Sequence, residues 1–557
     1  MVKSSAQLPA SSAASARLEY GEVFTRRWIV DLILDLSDYK PDLNLTQLRV
    51  VEPSVGSGAF LGPIVERLLV ARTKHAPAEP WLSLRDCIQS WDLQDEHVRA
   101  SKALAVGMLT DAGCPVRDAG ELADSWVHVG DFLLTRHLLS ADLVVGNPPY
   151  IRIEDIPPPL LQSYREACPS MGGRADIFIG FYEHGLDLLA PGGRLAFICA
   201  DRWMRNAYGR KLRRKILDGP FALDAVLTMH DVPAFEADVS AYPAITVLRR
   251  SDQGKAVTGL ANEQFDREDA EHFSTWALDQ SAEHLQRPSV TAARLPRWHD
   301  HDDSWPEGSP RTLEWLELLT ETLHPLENPA NGTRISIGVA SGADAIYVRG
   351  QHDIPDVEDN RLLPLVMAAD VKSGEFRWTG HHLVNPWEAT ALADLDHYPK
   401  LAEYYRANIR VLRGRNVAKR SGDRWYRTID RVNYALLNRP MLVMEDMKSR
   451  AHPVLVPPGY YPHHNLYYVT SVGWDLETLG GLLLSEVIEK QVAAYCVKMR
   501  GGTLRFQAQY LRRVRCPNPE DIAPEIQRAL AKAFRMRDRT AATKAALLAY
   551  GMESLPD

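Results

Sequence analysis

The chain has 557 residues, 45% of them hydrophobic, and a formal net charge of -8. That length and composition give two or three folded domains with sizeable cores and exclude a disordered chain. No uninterrupted apolar run approaches the roughly 18 residues of a membrane helix, so no bilayer anchor is expected and a cytoplasmic location is.

Six cysteines (Cys87, Cys114, Cys168, Cys199, Cys496 and Cys516) are scattered without paired spacing. Their arrangement argues against a disulfide framework or a zinc knuckle, and they are expected to be small, buried and inert. The overall charge weighs weakly against a polyanionic partner, so the local distribution of charge decides that question.

Taken in chain order, residues 1–17 are of low complexity and lack the apolar run of a signal peptide; a disordered tail is expected. Residues 18–250 alternate short β-branched runs with amphipathic stretches, which predicts an α/β fold with a mostly parallel, Rossmann-like sheet. LRVVEP, CIQSWDL, WVHVGDF, DLVVGNPP, GRLAFICA and AITVLRR are its strand candidates, and AFLGPIVERLLVAR and IFIGFYEHGLDLL its clearest helices. Across residues 251–330 periodicity weakens, and RLPRWHDHDDSWPEGSP reads as an exposed connection between domains. Residues 331–557 hold short strands, a basic segment and a helical tail, which predicts a separate α+β domain.

The first chemical constellation is VVEPSVGSGAF. A strand ends in Glu52, and Pro53, Ser54, Gly56 and Gly58 form a turn that opens a helix, where glycine lets a ligand approach the backbone. The next strand candidates also end in polar groups: Asp92, then Asp131 with Phe132, then Asn147. A carboxylate on the second strand can accept from ribose hydroxyls. One on the third can accept from an exocyclic amine while Phe132 packs on a purine face. The pocket suits an adenosine without phosphates; the plainer alternative is that these acids cap the following helices.

The second constellation is NPPY, residues 147–150. Two adjacent prolines hold an extended loop, so the side-chain oxygen of Asn147 and the backbone carbonyl of Pro148 can both accept from one planar NH2 group. If that group is the amine of adenine, the two acceptors turn its nitrogen lone pair towards an electrophile such as a methyl sulfonium. Tyr150 would stack on a base drawn out of the duplex. No metal is needed, because the leaving group is a neutral thioether. The HDHDD run at residues 299–303 and the pair His463 and His464 read as solvated loops.

Between residues 405 and 450, Arg410, Arg413, Arg415, Lys419, Arg420, Arg424, Arg427 and Arg431 outnumber their acidic neighbours, and Trp425 and Tyr426 interrupt them. Guanidinium groups grip phosphates and guanine edges, so Arg413, Arg415, Lys419, Arg420, Arg424 and Trp425 are candidate contacts to duplex DNA. A solvated helical face is the alternative.

The order GEVFTRRWIVDLIL, VVEPSVGSGAF, GDFLL, NPPY, PGGRLAFICADRW and AFEADVSAYPAITVL resembles that of the gamma-class (TaqI-like) adenine-N6 DNA methyltransferases, over residues 21–250. The resemblance implies a class I methyltransferase domain using S-adenosylmethionine. Thr25 would lie near the methionine part, Glu52 and Ser54 at its amino-acid end, Asp92 on the ribose, and Asp131 with Phe132 on the adenine. Phe235 would be a second aromatic wall opposite Tyr150. RISIGVASGADAIYV, HHNLYYVTS and RGGTLRFQAQYLRRVRCPNP are similar to the family's target-recognition domains, which implies that Gly501 and Gly502 approach the DNA backbone.

Two departures stand out. Glu52 and Asp92 lie about forty residues apart, against roughly twenty in a typical nucleotide fold, and the family's threonine-proline pair is here Thr25-Arg26. The implied function is a monomeric, site-specific adenine methyltransferase acting on double-stranded DNA, partnered with a separately encoded restriction endonuclease. RNA or protein-glutamine methylation and a catalytically idle DNA-binding module are the alternatives.

Overall fold

The computed structural model describes residues 24–136, 139–236, 242–279, 282–299, 302–448, 450–496 and 504–556. The expected tail, residues 1–17, lies outside them, as do Arg500, Gly501 and Gly502. The chain divides into two compact units, Met1–Pro310 and Arg311–Asp557.

The first unit is built on one ten-stranded sheet. Its strands are β1 (Val50–Glu52), β2 (Ile88–Asp92), β3 (Val127–Val129), β4 (Ala141–Gly146), β5 (Leu189–Ala200), β6 (Ala222–Thr228), β7 (Pro243–Arg249), β8 (Ala256–Ala261), β9 (His284–Gln286) and β10 (Val290–Leu295). Their spatial order is β3-β2-β1-β4-β5-β7-β6-β8-β10-β9. β1 to β5 are mutually parallel and β7 runs against both β5 and β6. The chain winds one way from β1 through β2 to β3, then returns to β4 on the other side of β1. That reversal opens a crevice beyond the carboxyl ends of β1 and β4, where ligands of such sheets sit.

All six strands expected from the sequence are present. The apolar stretch after Phe60 forms helix α1 of the sheet's cover, Leu61–His75, with Pro63 in its first turn where the missing N–H costs nothing. A further helix, α2 (Phe178–Leu188), leads into β5. All six cysteines are buried, and no disulfide joins any of them.

The connection expected across residues 251–330 is corrected by the structure. β8 pairs in parallel with β6, and β10 and β9 extend the sheet beyond it. Ala256, Val257, Val290, Ala292 and Ala293 are buried strand residues, but β8 and β10 are too short and too rich in alanine to carry strong β-periodicity. Nor is Asp302, in the HDHDD run, freely solvated: it accepts from Arg210 at 3.0 and 3.1 Å and also from Arg214, and those hydrogen bonds hold its carboxyl down at about 2.

The second unit holds an antiparallel sheet of Arg334–Ile337, Leu466–Thr470, Met441–Glu445 and Val454–Val456, and a smaller one that includes Leu362–Val366 and His382–Val384. The expected helical tail is two helices, Pro524–Met536 and Arg539–Ala549, broken where Arg537 takes φ 55° and Asp538 caps the next turn. Among the described residues, no helix is long and apolar enough to cross a membrane.

Candidate functional site

Thr25, Glu52, Pro53, Ser54, Gly56, Asp92, Asp131, Phe132, Asn147 and Pro148 all line one cavity at the crevice. Sheet register explains the convergence. Glu52 and Asp92 end neighbouring parallel strands, and Asn147 follows β4, which pairs on the other side of β1. The hydroxyl of Ser54 donates to the backbone carbonyl of Asn147 at 3.1 Å, tying the loop after β1 to the loop after β4.

The glycine turn is held from both sides. Gly56 (φ 52°) and Gly58 (φ 96°) adopt left-handed conformations that a side chain would strain, and Gly58 packs against Leu104. The Gly56 N–H donates to one carboxylate oxygen of Asp92 at 2.9 Å, and the Gln94 N–H donates to the other at 2.9 Å. The forty-residue gap before Asp92 is filled by α1 and a short turn at Trp81–Leu84, so Asp92 still ends the strand beside β1.

Glu52 is 1% exposed, and its Oε2 has no hydrogen-bond partner among the described residues. Burial, and then the nearby Asp92 charge, push its carboxyl well above the ordinary range. An unsatisfied carboxylate at this depth is costly unless a cationic ligand group completes it.

Asp131 accepts from the Leu133 N–H at 3.0 Å and from the Tyr164 hydroxyl at 2.7 Å. Burial raises its carboxyl while those two donors and the Leu134 N–H oppose the shift. Phe132 is sealed against Phe181, stacked at 5.6 Å and 18°, with His184 edge-on at 4.9 Å. Tyr164 lies on a helix, Pro158–Ala167, which with Ile156 and Leu160 walls the cavity. Sequence reasoning missed this wall, because most of that helix faces solvent and its few apolar residues make no continuous stripe.

The amide of Asn147 is oriented by a donation from Nδ2 to Thr25 Oγ1 at 3.2 Å. Thr25 is itself fixed by the pairing of its segment with the Phe235 segment: Arg26 N–H donates to Ala234 at 3.0 Å and Glu236 N–H to Phe24 at 2.9 Å. The Thr25-Arg26 departure leaves the threonine in contact with Asn147. Tyr150 and Phe235 lie outside the cavity lining and meet each other edge to face, centroids 6.4 Å apart at 81°. A base sandwiched between two parallel rings needs roughly 7 Å between them, two van der Waals separations, so the two rings must turn to admit one.

The basic segment of the second unit divides. Arg413, Lys419, Arg420 and Arg424 are exposed. Arg415 is not available as a contact: it donates to the carbonyls of Leu412 (3.0 Å), Ser341 (2.9 Å) and Trp425 (2.8 Å) and to the Tyr347 hydroxyl (3.1 Å). Trp425 is 8% exposed and belongs to the unit's core. Both were expected to contact DNA and are structural: Arg415 caps the junction between two short helices and ties it to neighbouring carbonyls, and Trp425 packs inward after the last turn. His463 is also buried, its Nε2 3.1 Å from Asp344, and is no solvated loop residue.

Comparison with known proteins gives concordant results. Residues 136–222 match the Eco57I restriction-modification methylase family. The chain is 42% identical to the type II methyltransferase M.PaeR7I of Pseudomonas aeruginosa, over 96% of this chain and 92% of that one. It is 37% identical to the type II methyltransferase M.XhoI of Xanthomonas vasicola, over 96% and 97%. Among solved structures it is similar to the type IIL restriction-modification enzyme MmeI in complex with DNA, with a TM-score of 0.54 and 11% identity over 95% of this chain and 74% of that one, a likeness of fold. The chain belongs to the type II methyltransferases of restriction-modification systems.

Proposed function

We propose that this chain transfers a methyl group from S-adenosylmethionine to N6 of an adenine flipped out of duplex DNA. The observation that carries the reading is Asn147: its amide, oriented by Thr25, stands at the rim of a cavity whose walls include Glu52, Asp92 and Asp131. The residues fit the cofactor. The unpartnered Glu52 oxygen suits its ammonium group, Asp92 keeps acceptor capacity for ribose hydroxyls, and Asp131 beside Phe132 suits its adenine. When bound, the cofactor supplies an electrophilic methyl on a positively charged sulfur.

The chain's own residues do the rest. The Asn147 side-chain oxygen and the Pro148 carbonyl accept from the target amine and orient its nitrogen. Tyr150 and Phe235 hold the flipped base. Exposed Arg413, Lys419, Arg420 and Arg424 meet phosphates or bases of the duplex; Gly501 and Gly502 are proposed to pass close to its backbone. The protein works in the cytoplasm as a monomer, protecting the cell's DNA from a separately encoded endonuclease of the same site specificity.

Incubation with labelled cofactor and duplex DNA, single-stranded DNA, RNA or protein tests the substrate class. Label in N6-methyladenine of duplex is expected; label confined to RNA or to protein glutamine would overturn the reading. Duplex binding without transfer to any acceptor would indicate an idle DNA-binding module.

A further inference from the structure

Among the described residues, two groups of ligating side chains come within reach of one another: Asp201 with His230 and Glu307, and Asp344 with His463 and His464. In the first, Arg205 already pairs with Asp201 at 2.6 Å and with Glu307 at 3.3 Å, so a metal ion there would meet another cation. The second group lies in the second unit. His463 and His464 stand between Tyr461–Pro462 and the strand Leu466–Thr470, and Asp344 opens the short helix Asp344–Tyr347. His463 Nε2 is 3.1 Å from Asp344 Oδ2, and the two imidazole centroids are 4.1 Å apart. One ligand atom from each of the three residues lies within 4.8 Å of the others.

A hydrogen-bonded histidine and aspartate account for only part of this arrangement. His463 is 2% exposed, yet its Nδ1 has no hydrogen-bond partner among the described residues, and neither has the Nδ1 of His464. Two ring nitrogens buried without partners cost stability, and a divalent ion that accepts a lone pair from each ring offsets that cost. A tetrahedral zinc ion with ligands at about 2.0 to 2.2 Å holds them roughly 3.3 Å apart. The contact between His463 and Asp344 is already close to that spacing. The backbone is set in advance: the His463 N–H donates to the Val366 carbonyl at 3.0 Å and the His464 N–H to that of Val339 at 3.1 Å. Gly338 permits this approach, since a Cβ there would stand 2.2 Å from the His463 carbonyl oxygen. The second oxygen of Asp344 accepts from the Ser341 hydroxyl, the kind of outer support that orients a ligating carboxylate. The Asp344 side chain is 47% exposed, which leaves an entry path and a position for water.

We propose that Asp344, His463 and His464 bind one divalent transition-metal ion, zinc by its fit to two imidazoles and a carboxylate, and that the ion staples two turns of the second unit together. Its role is structural. The turn that carries Asp344 is tied to the basic segment at both ends. The Ser341 carbonyl accepts from Arg415 at 2.9 Å, the Ala340 N–H donates to Asp430 Oδ2 at 2.9 Å, and the Asp430 N–H donates to the Ala340 carbonyl at 3.1 Å. A staple at this point stiffens the scaffold from which the exposed Arg413, Lys419 and Arg420 project. The inference does not depend on which acceptor is methylated.

The test uses the full-length protein without a histidine tag, stripped with a chelator and titrated with cobalt(II), whose tetrahedral complexes absorb in the visible, and with zinc. One cobalt per chain is expected, its visible bands bleached by one equivalent of zinc, and zinc is expected to raise the unfolding temperature by several degrees. The amides of Ala340, His464 and Asp430 are expected to exchange about ten-fold more slowly with zinc bound. H464A is expected to weaken zinc affinity by more than about ten-fold. Should H464A fail to fold, D344N alters a half-exposed side chain and is expected to show the same loss in a folded protein. E307Q, in the other group, is expected to bind zinc as the parent does. Absence of both cobalt bands and zinc-induced stabilisation, parental affinity in D344N, loss of binding in E307Q, or unchanged amide exchange would each overturn the proposal.

Discussion

The cavity of the first unit and the basic segment of the second were both marked out by residue type, yet the structure treats them differently. At the cavity, Glu52, Asp92, Asp131 and Asn147 come together because each stands at or just beyond the end of a parallel strand, and register carries them to one edge. In the basic segment no register acts. Arg415 caps the junction between short helices at Ile409–Gly414 and Asn416–Lys419 and becomes a strut, and Trp425, beyond them, is a core residue, while Arg413 and Arg420 face solvent. Position along a strand locates a side chain; membership of a charged run does not.

The contrast can be broken at several points, the largest effect first. Asn147→Ala is expected to lower methyl transfer by roughly 10² to 10³-fold, the scale of losing an oriented acceptor, while duplex binding measured by fluorescence anisotropy stays intact. Equal activity would remove the role given to the cavity rim.

Trp425→Ala is expected to destabilise the second unit by about 3 to 5 kcal/mol, the cost of emptying a buried aromatic site, read by denaturant unfolding. A stable protein that had merely lost DNA affinity would return Trp425 to the surface.

Glu52→Gln sharpens the cavity side. The Glu52 carboxyl is raised in the free protein, so it holds a proton to a higher pH than an ordinary glutamate and must release it to meet a cation. Cofactor affinity should therefore rise with pH through that titration, with proton release visible by calorimetry in buffers of different ionisation heat. Glu52→Gln should weaken binding by about ten-fold and abolish that dependence.

The smallest effect separates the two kinds of arginine. Arg420→Ala should leave thermal stability unchanged and reduce the slope of log affinity against log salt by about 1, as expected for one lost phosphate contact.

The parallel sheet and the strand-end acids could be read from the chain because both follow from short-range pattern: β-branched runs, a glycine turn and a polar residue closing each run. Three features could not. β8 and β10 have an alanine-rich composition that only their pairing with β6 makes into strands. Tyr164 reaches Asp131 from a helix 33 residues on whose sequence reads as solvated. The edge-to-face meeting of Tyr150 and Phe235 depends on distances across the fold, which no spacing encodes.

The parallel pairing of β6 with β8 bears on how this enzyme can be dissected. Cutting the chain near residue 250, where periodicity fades, would strip β8 away and leave the backbone donors and acceptors of β6 facing water along four residue pairs. Such a bare edge invites strand addition from a second molecule, so a fragment ending there would self-associate or precipitate. A catalytic fragment fit for crystallisation should instead run past Leu295, keeping its own lateral seal.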